Sequence, residues 1–272
     1  MFKALKNWSE KRQERIHEHR HARVLDLKET LSQIPTGKDL IDFAQEKNLL
    51  IRFKSGLNAQ AKYLPRTRIQ LSYIYPIDRQ APILAHETRH AWQEFNNLAL
   101  RQKSNVLENV VMKRFGEADA FAIEAQIAWE LTEHNLVPKA WALYKKHNKK
   151  LAKAYENAVT IDPKSVHNGK ARSQVFEAWF DSEHLKFYDR SSIYESKVYL
   201  SRTRNGQRVA REFDKKRPDD APPRRSPAFL RAFGQTSNGG NYLDHFNFKS
   251  RHIQVTSTRT KRAIAKLEQR YP

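Results

Sequence analysis

The sequence predicts an α+β protein, predominantly helical, with a small sheet of two or three strands placed ahead of a helix that bears an HExxH motif. Three observations predict this. Only 8 of the 272 residues are glycine, and long proline-free stretches are rich in Ala, Leu, Lys, Glu and Gln, which favour helix. Residues 49–73 shift to β-branched and aromatic side chains, cut by Ser55-Gly56 and Pro65. The run LAHETRHAWQ that follows places apolar residues at helical intervals.

The elements follow in order. Residues 1–35 read as a strongly charged helix with a thin apolar stripe (Phe2, Leu5, Ile16, Val24, Leu27, Leu31), stopped by Pro35 and Gly37. The stripe is too sparse for a membrane-surface helix, so residues 1–36 are expected to form a basic arm lying on the main body. A short helix from Lys38 to Lys47 leads to three strands, Leu49 to Lys54, Gln60 to Leu64 and Thr67 to Tyr73. The motif helix should run from Arg79 to Asn97 and a second long helix from Val106 to His134, before Pro138. A third covers Ala140 to Ala158 and a fourth Ser173 to Phe187, after which the signal weakens at Tyr188. Lys215 to Pro227 is a polar, proline-rich linker, Phe233 to Leu243 a turn containing Gly and Asn, and the basic tail ends in a helix. The expected division is an arm (1–36), a central domain (37–190) and a basic extension (191–272) whose 228–243 segment packs back on the centre.

Composition narrows the chemistry. With no cysteine, disulfides, Cys-ligated zinc, iron–sulfur clusters and thiol nucleophiles are excluded, so a metal must be held by His, Asp or Glu. Neither a secretory leader nor a membrane-spanning run is visible, which predicts a cytoplasmic protein, with non-classical secretion as an effector left open. Lys and Arg number 50 against 30 acidic residues, a net of +20, and residues 197–272 hold 18 basic and 6 acidic side chains. That surplus would attract a polyanion such as nucleic acid, anionic lipid or acidic protein, or simply keep the surface solvated.

The site reading rests on helical spacing. Residues four apart lie on one helix face, so His86 and His90 converge on one metal, and Glu87 beside the first histidine can reach the metal's water as general base. Zinc would lower that water's pKa and polarise a scissile carbonyl. The pattern occurs twice, because His17-Glu18-His19-Arg20-His21 also fits. That first match sits among Arg12, Arg15, Arg20 and Arg23 and is read as solvated. The second is flanked by Ile83, Leu84, Ala85, Ala91, Trp92 and Phe95, which supply a dry wall. A third ligand is expected from the second long helix, where Glu117 follows His90 by 27 residues. Glu117 ranks first, Glu124 second and Asp119 third, and Asp119 would also suit a hydrogen bond to a ligating histidine. An ordinary acidic helix surface is the alternative for Glu117.

LAHETRHAWQ followed by GEADAFAIEAQIAWEL resembles a bacterial putative metallopeptidase family of unknown function, and FEAWFDSEHLKFYD and FGQTSNGGNYL are similar to it as well. The resemblance spans about Lys38 to Leu243 and leaves the two outer arms aside. More broadly the layout is similar to zincins whose third ligand is a glutamate. The resemblance implies a zincin-like domain hydrolysing peptide bonds, Zn2+ on His86, His90 and Glu117, and Glu87 as base. Two departures stand: Arg89 places a charge inside the motif, and the ExxAD or ExxSD order of better-known relatives is missing. Zincin mechanisms usually add a donor for the developing oxyanion, and Tyr242 and His245, after the glycine-rich turn, are the candidates, with plain packing as the alternative for Tyr242. The partner is a peptide or protein substrate. The competing reading is a zinc-stabilised, non-catalytic binding protein whose basic C-terminal region contacts nucleic acid or another polyanion.

Overall fold

Helix is the dominant element because Ala, Leu, Lys, Glu and Gln fill most of the chain and glycine is scarce, while the strands among the described residues lie within 50–72, where Ile51, Phe53, Tyr63 and Ile69 fall. A computed structural model describes residues 2–65, 67–99, 106–202, 225–236 and 239–270. The helices are α1 (Phe2–Ser32), α2 (Pro35–Glu46), α3 (Ile77–Phe95), α4 (Val106–Glu133), α5 (Ala140–His147), α6 (Lys149–Ile161), α7 (Ser165–Asn168), α8 (Lys170–Trp179), α9 (Glu183–Arg202), α10 (Pro227–Arg231), α11 (Ser250–Ile253) and α12 (Thr258–Arg270). The strands are β1 (Leu50–Lys54), β2 (Ala61–Leu64) and β3 (Arg68–Ser72). No helix among the described residues is long and apolar enough to cross a membrane. The chain divides into two compact units, residues 1–91 with 127–144 and residues 92–126 with 145–272.

In the first unit the sheet order is β1-β3-β2, with β1 parallel and β2 antiparallel to β3. The register sets Ile51 against Ile69 and Phe53 against Leu71 on one face, and all four are buried. Gln70 and Ser72, on the other face of the central strand, are buried too, and the Ser72 carbonyl accepts a hydrogen bond from Gln80 Nε2 at 2.7 Å. Val24, Leu27 and Leu31 of α1 are buried, as are Leu40, Ile41 and Ala44 of α2. Thr36 Oγ1 donates to Glu130 Oε1 at 2.7 Å, and Trp129 meets Trp141 edge-on at 5.0 Å.

Phe115 of α4 lies at the centre of the second unit, with Phe176, Phe180, Phe233 and Phe248 at ring distances of 5.4–6.0 Å. Ile264 and Leu267 of α12 pack with Val106, Val110 and Val255. Arg114, fully buried, grips Asp189 with two bonds of 2.7 and 2.8 Å and donates a third to the Gln254 carbonyl. Burial alone would raise the Glu177 carboxyl, but hydrogen bonds from His252 and Lys249, the charge of His252 and a further bond from Arg251 outweigh it and bring it to about 2.

The structure corrects several boundaries. Helix α1 ends at Ser32, before Pro35 as expected, with Ile34 extended; the next helix opens at Pro35 rather than Lys38, because a proline at the first position loses no intrahelical bond, and Gly37 is buried inside it. The helix expected over 140–158 breaks at Asn148, whose φ of −131° leaves the helical region, and resumes to Ile161. The one expected over 173–187 is two helices, separated at Phe180 to Ser182, and α9 continues to Arg202 where the sequence signal fades. The linker from Lys215 falls mostly outside the described residues.

Candidate metal centre

Helix α3 begins after Pro76, with Asp78 in its first turn, where a negative charge meets the positive end of the helix dipole. Ile83, Leu84, Ala85 and Ala91, which flank the two histidines in this helix, are all buried. His86 is buried and His90 partly so. Their Nε2 atoms lie 3.1 Å apart, with the rings edge to face at 80°. Two imidazoles one helical turn apart have turned the same nitrogen toward one point.

Glu87 is partly buried, and its Oε2 accepts the Tyr63 backbone amide at 2.6 Å. An amide of the edge strand β2 therefore fixes the carboxylate beside the first histidine. Among the described residues, no other hydrogen bond engages Glu87.

Glu117 of α4 is 3% exposed, and its carboxylate joins His86 and His90 in a group whose donor atoms lie within 4.8 Å of one another. The group does not include Glu124 or Asp119, although both are buried. Lys113, one turn before Glu117, places Nζ 3.1 Å from its Oε1 and sits over the Tyr188 ring. Asp119 accepts hydrogen bonds from Gln93 Nε2 at 2.6 Å and from the Tyr242 hydroxyl at 2.7 Å. Gln93 also donates to the Gly116 carbonyl at 2.8 Å. The turn of α4 that carries Glu117 is thus braced on both sides. Gly116 matters here because a Cβ at that position would stand 3.1 Å from Gln93 Oε1.

Tyr242 is buried with its hydroxyl on Asp119, whereas His245 is exposed. His17, Glu18, His19 and His21 of the first motif match are exposed as well. Sequence reasoning passed over Gln93 and Lys113. Gln93 follows His86 by seven residues and His90 by three, the spacing of one helix face, so its position was readable as a neighbour of the ligands. The Tyr63 amide left no trace in the side-chain pattern.

A family described as "Putative metallopeptidase family (DUF6782)" matches residues 6–242. The chain belongs to this family. The match begins four residues into α1, so nearly all of the N-terminal helix is part of what the family shares, beyond the Lys38 boundary expected from the motifs. It ends at Tyr242, before α11 and α12. No curated protein and no solved structure matches the chain.

Proposed function

We propose that the chain is a zinc-dependent, zincin-like peptidase in which His86, His90 and Glu117 hold the metal and Glu87 is the general base. The observation that carries this is the convergence of the two Nε2 atoms and the Glu117 carboxylate. Their fit to a metal can be judged on the nitrogen pair: tetrahedral zinc with bonds of about 2.0–2.1 Å sets its ligands about 3.3 Å apart, close to the 3.1 Å between these nitrogens. Two imidazoles and a carboxylate are also the donor set of a catalytic zinc site that keeps a position open. Bound there, zinc would supply Lewis acidity toward a peptide carbonyl and a water molecule.

The remaining work falls to the chain. Glu87 takes a proton at Oε1, since Oε2 is occupied by the Tyr63 amide, and that same bond keeps the carboxylate from swinging away. Gln93 and Tyr242, through Asp119 and the Gly116 carbonyl, hold the Glu117 turn in place, which is how outer hydrogen bonds tune a ligand. Purified protein should carry about one zinc per chain by metal analysis, and His86→Ala should lose it. Glu87→Gln should keep the metal while cleavage of a peptide library falls about 10²–10⁴-fold. Full zinc occupancy in His86→Ala, or wild-type cleavage by Glu87→Gln, overturns the assignment.

A second reading, polyanion contact through the C-terminal region, draws on α12. Arg259, Arg262 and Lys266 are exposed there while Ile264 and Leu267 are buried, so its outer surface is cationic without an apolar face to enter a bilayer. Nucleic-acid binding that weakens steeply with salt, together with no Glu87-dependent cleavage, would favour this reading over the enzyme.

A further inference from the structure

Strand β1 lies at one edge of the sheet, on the side away from β2. The Leu50 amide donates to the Thr67 carbonyl, so in this parallel ladder the even-numbered residues of β1 face β3. The amides and carbonyls of Ile51 and Phe53 therefore point along the free edge. Among the described residues no hydrogen bond engages these groups, and an edge of this kind is a template for another strand.

An open groove of about 810 Å³ runs beside that edge. One wall is every residue from Leu50 to Ser55; the other is α1, through His17, Arg20, His21 and Val24 among others. Lining by consecutive strand residues means the groove follows the backbone edge rather than one face of the sheet. The two walls match in length: Glu14 to Val24 spans about 15 Å of helix, and Leu50 to Ser55 about 17 Å of strand. Arg20 Nη2 donates to Ser55 Oγ at 2.6 Å, and the Arg23 guanidinium sits over Phe53 and Tyr73, which fastens α1 to this end of the sheet.

Charge and burial then select an occupant. Arg20, Arg52 and Lys54 are permanent cations of the groove, His17 and His21 add imidazoles, and Glu14 is the one acid among the described lining residues. Along β1 the burial alternates, with Leu50, Arg52 and Lys54 outward and Ile51 and Phe53 inward. A strand laid on this edge would meet Arg52 and Lys54 with one set of alternate side chains and the apolar side of the groove with the other.

We propose that the α1–β1 groove binds an extended acidic peptide, with acidic and apolar residues in alternation, as a fourth strand added to β1. This docking is separate from the metal centre and does not depend on catalysis.

The test uses the full chain and a fluorescein-labelled decapeptide of alternating Glu and Val, read by fluorescence anisotropy. Saturable binding is expected. It should weaken at least about tenfold when Arg52→Glu and Lys54→Glu are combined, and by a similar factor when alternate amides of the peptide are N-methylated. Both substituted side chains are exposed, and circular dichroism of the double variant checks the fold. A benzophenone placed in the peptide should crosslink the wild-type chain within residues 14–24 or 50–55. The proposal is overturned by absent saturation, by equal affinity for a Lys and Val decapeptide, by indifference to N-methylation, or by crosslinks that fall elsewhere.

Discussion

Replacing Glu177 with glutamine should destabilise the chain at neutral pH and lose that effect in acid. The carboxyl falls from an ordinary 4.5 to about 2: burial opposes the fall, and the hydrogen bonds from His252 and Lys249, the charge of His252 and the bond from Arg251 drive it. At about 1.36 kcal/mol per pH unit this sets an upper bound of about 3 kcal/mol. Side chains of Lys249 and Arg251 are 54% and 37% exposed, so water screens part of the attraction. About 1–2 kcal/mol is the working expectation. Because the folded pKa lies below the unfolded one, the unfolded chain binds more protons between the two values. The stabilisation is complete above 4.5 and is lost as pH falls toward about 2. Urea unfolding of the wild type and Glu177→Gln at about pH 7, 5.5 and 3 measures it directly. The gap in unfolding free energy should be widest at neutral pH and shrink below 4.5. A gap that stays constant down to about pH 3, or widens there, refutes the reasoning.

Arg114→Ala strands the buried Asp189 carboxylate and should cost about 3–5 kcal/mol in denaturant unfolding, with the Arg114→Ala, Asp189→Ala pair costing less than the two singles together. Tyr242→Phe retains ring packing on Phe176 but removes the bond to Asp119. It should weaken zinc affinity about 10–100-fold in competition with a chelator while far-ultraviolet circular dichroism stays unchanged. Gly169 has a φ of 80°, and a Cβ there would lie 2.6 Å from Tyr242 Cβ. Gly169→Ala should therefore cost about 1–3 kcal/mol and lower the melting temperature.

The sequence made the long helices legible because their patterns are strong and local. The apolar residues around His86 and His90 repeat at helical spacing, residues 106–133 are rich in Ala and Glu without proline, and α3 and α4 lie within two residues of the expected limits. The strands were visible in their isoleucine and aromatic residues and in the breakers Ser55-Gly56 and Pro65 that separate them. Their order was not, since pairing β1 parallel to β3 depends on contacts between distant segments. Pro35 marked the end of α1 correctly but hid the start of α2, because the same proline that ends one helix is a good first residue of the next. Asn148 misled in the opposite way, interrupting a run in which neither glycine nor proline announces a break. At the centre, helical spacing placed His86 and His90 on one face, whereas the α4 acid stood only as a ranking of Glu117, Glu124 and Asp119, because spacing within one helix does not say which residue of another helix faces it. The Tyr63 amide on Glu87 and the hydroxyl of Tyr242 on Asp119 were beyond reach: each joins residues far apart in the chain, and one is a backbone group with no side-chain signature.

The aromatic surroundings of Phe115 have a consequence for biosynthesis. Its ring neighbours include Phe233 and Phe248, more than a hundred residues further along the chain. A ribosome adding about 5–20 residues per second needs roughly 7–27 s to travel from Phe115 to Phe248. During that interval the nascent polypeptide already displays both histidines and the acidic helix, but the scaffold behind Glu117 is unfinished. Translation of the last aromatic, well after the motif itself has emerged, sets the moment at which this region can become rigid.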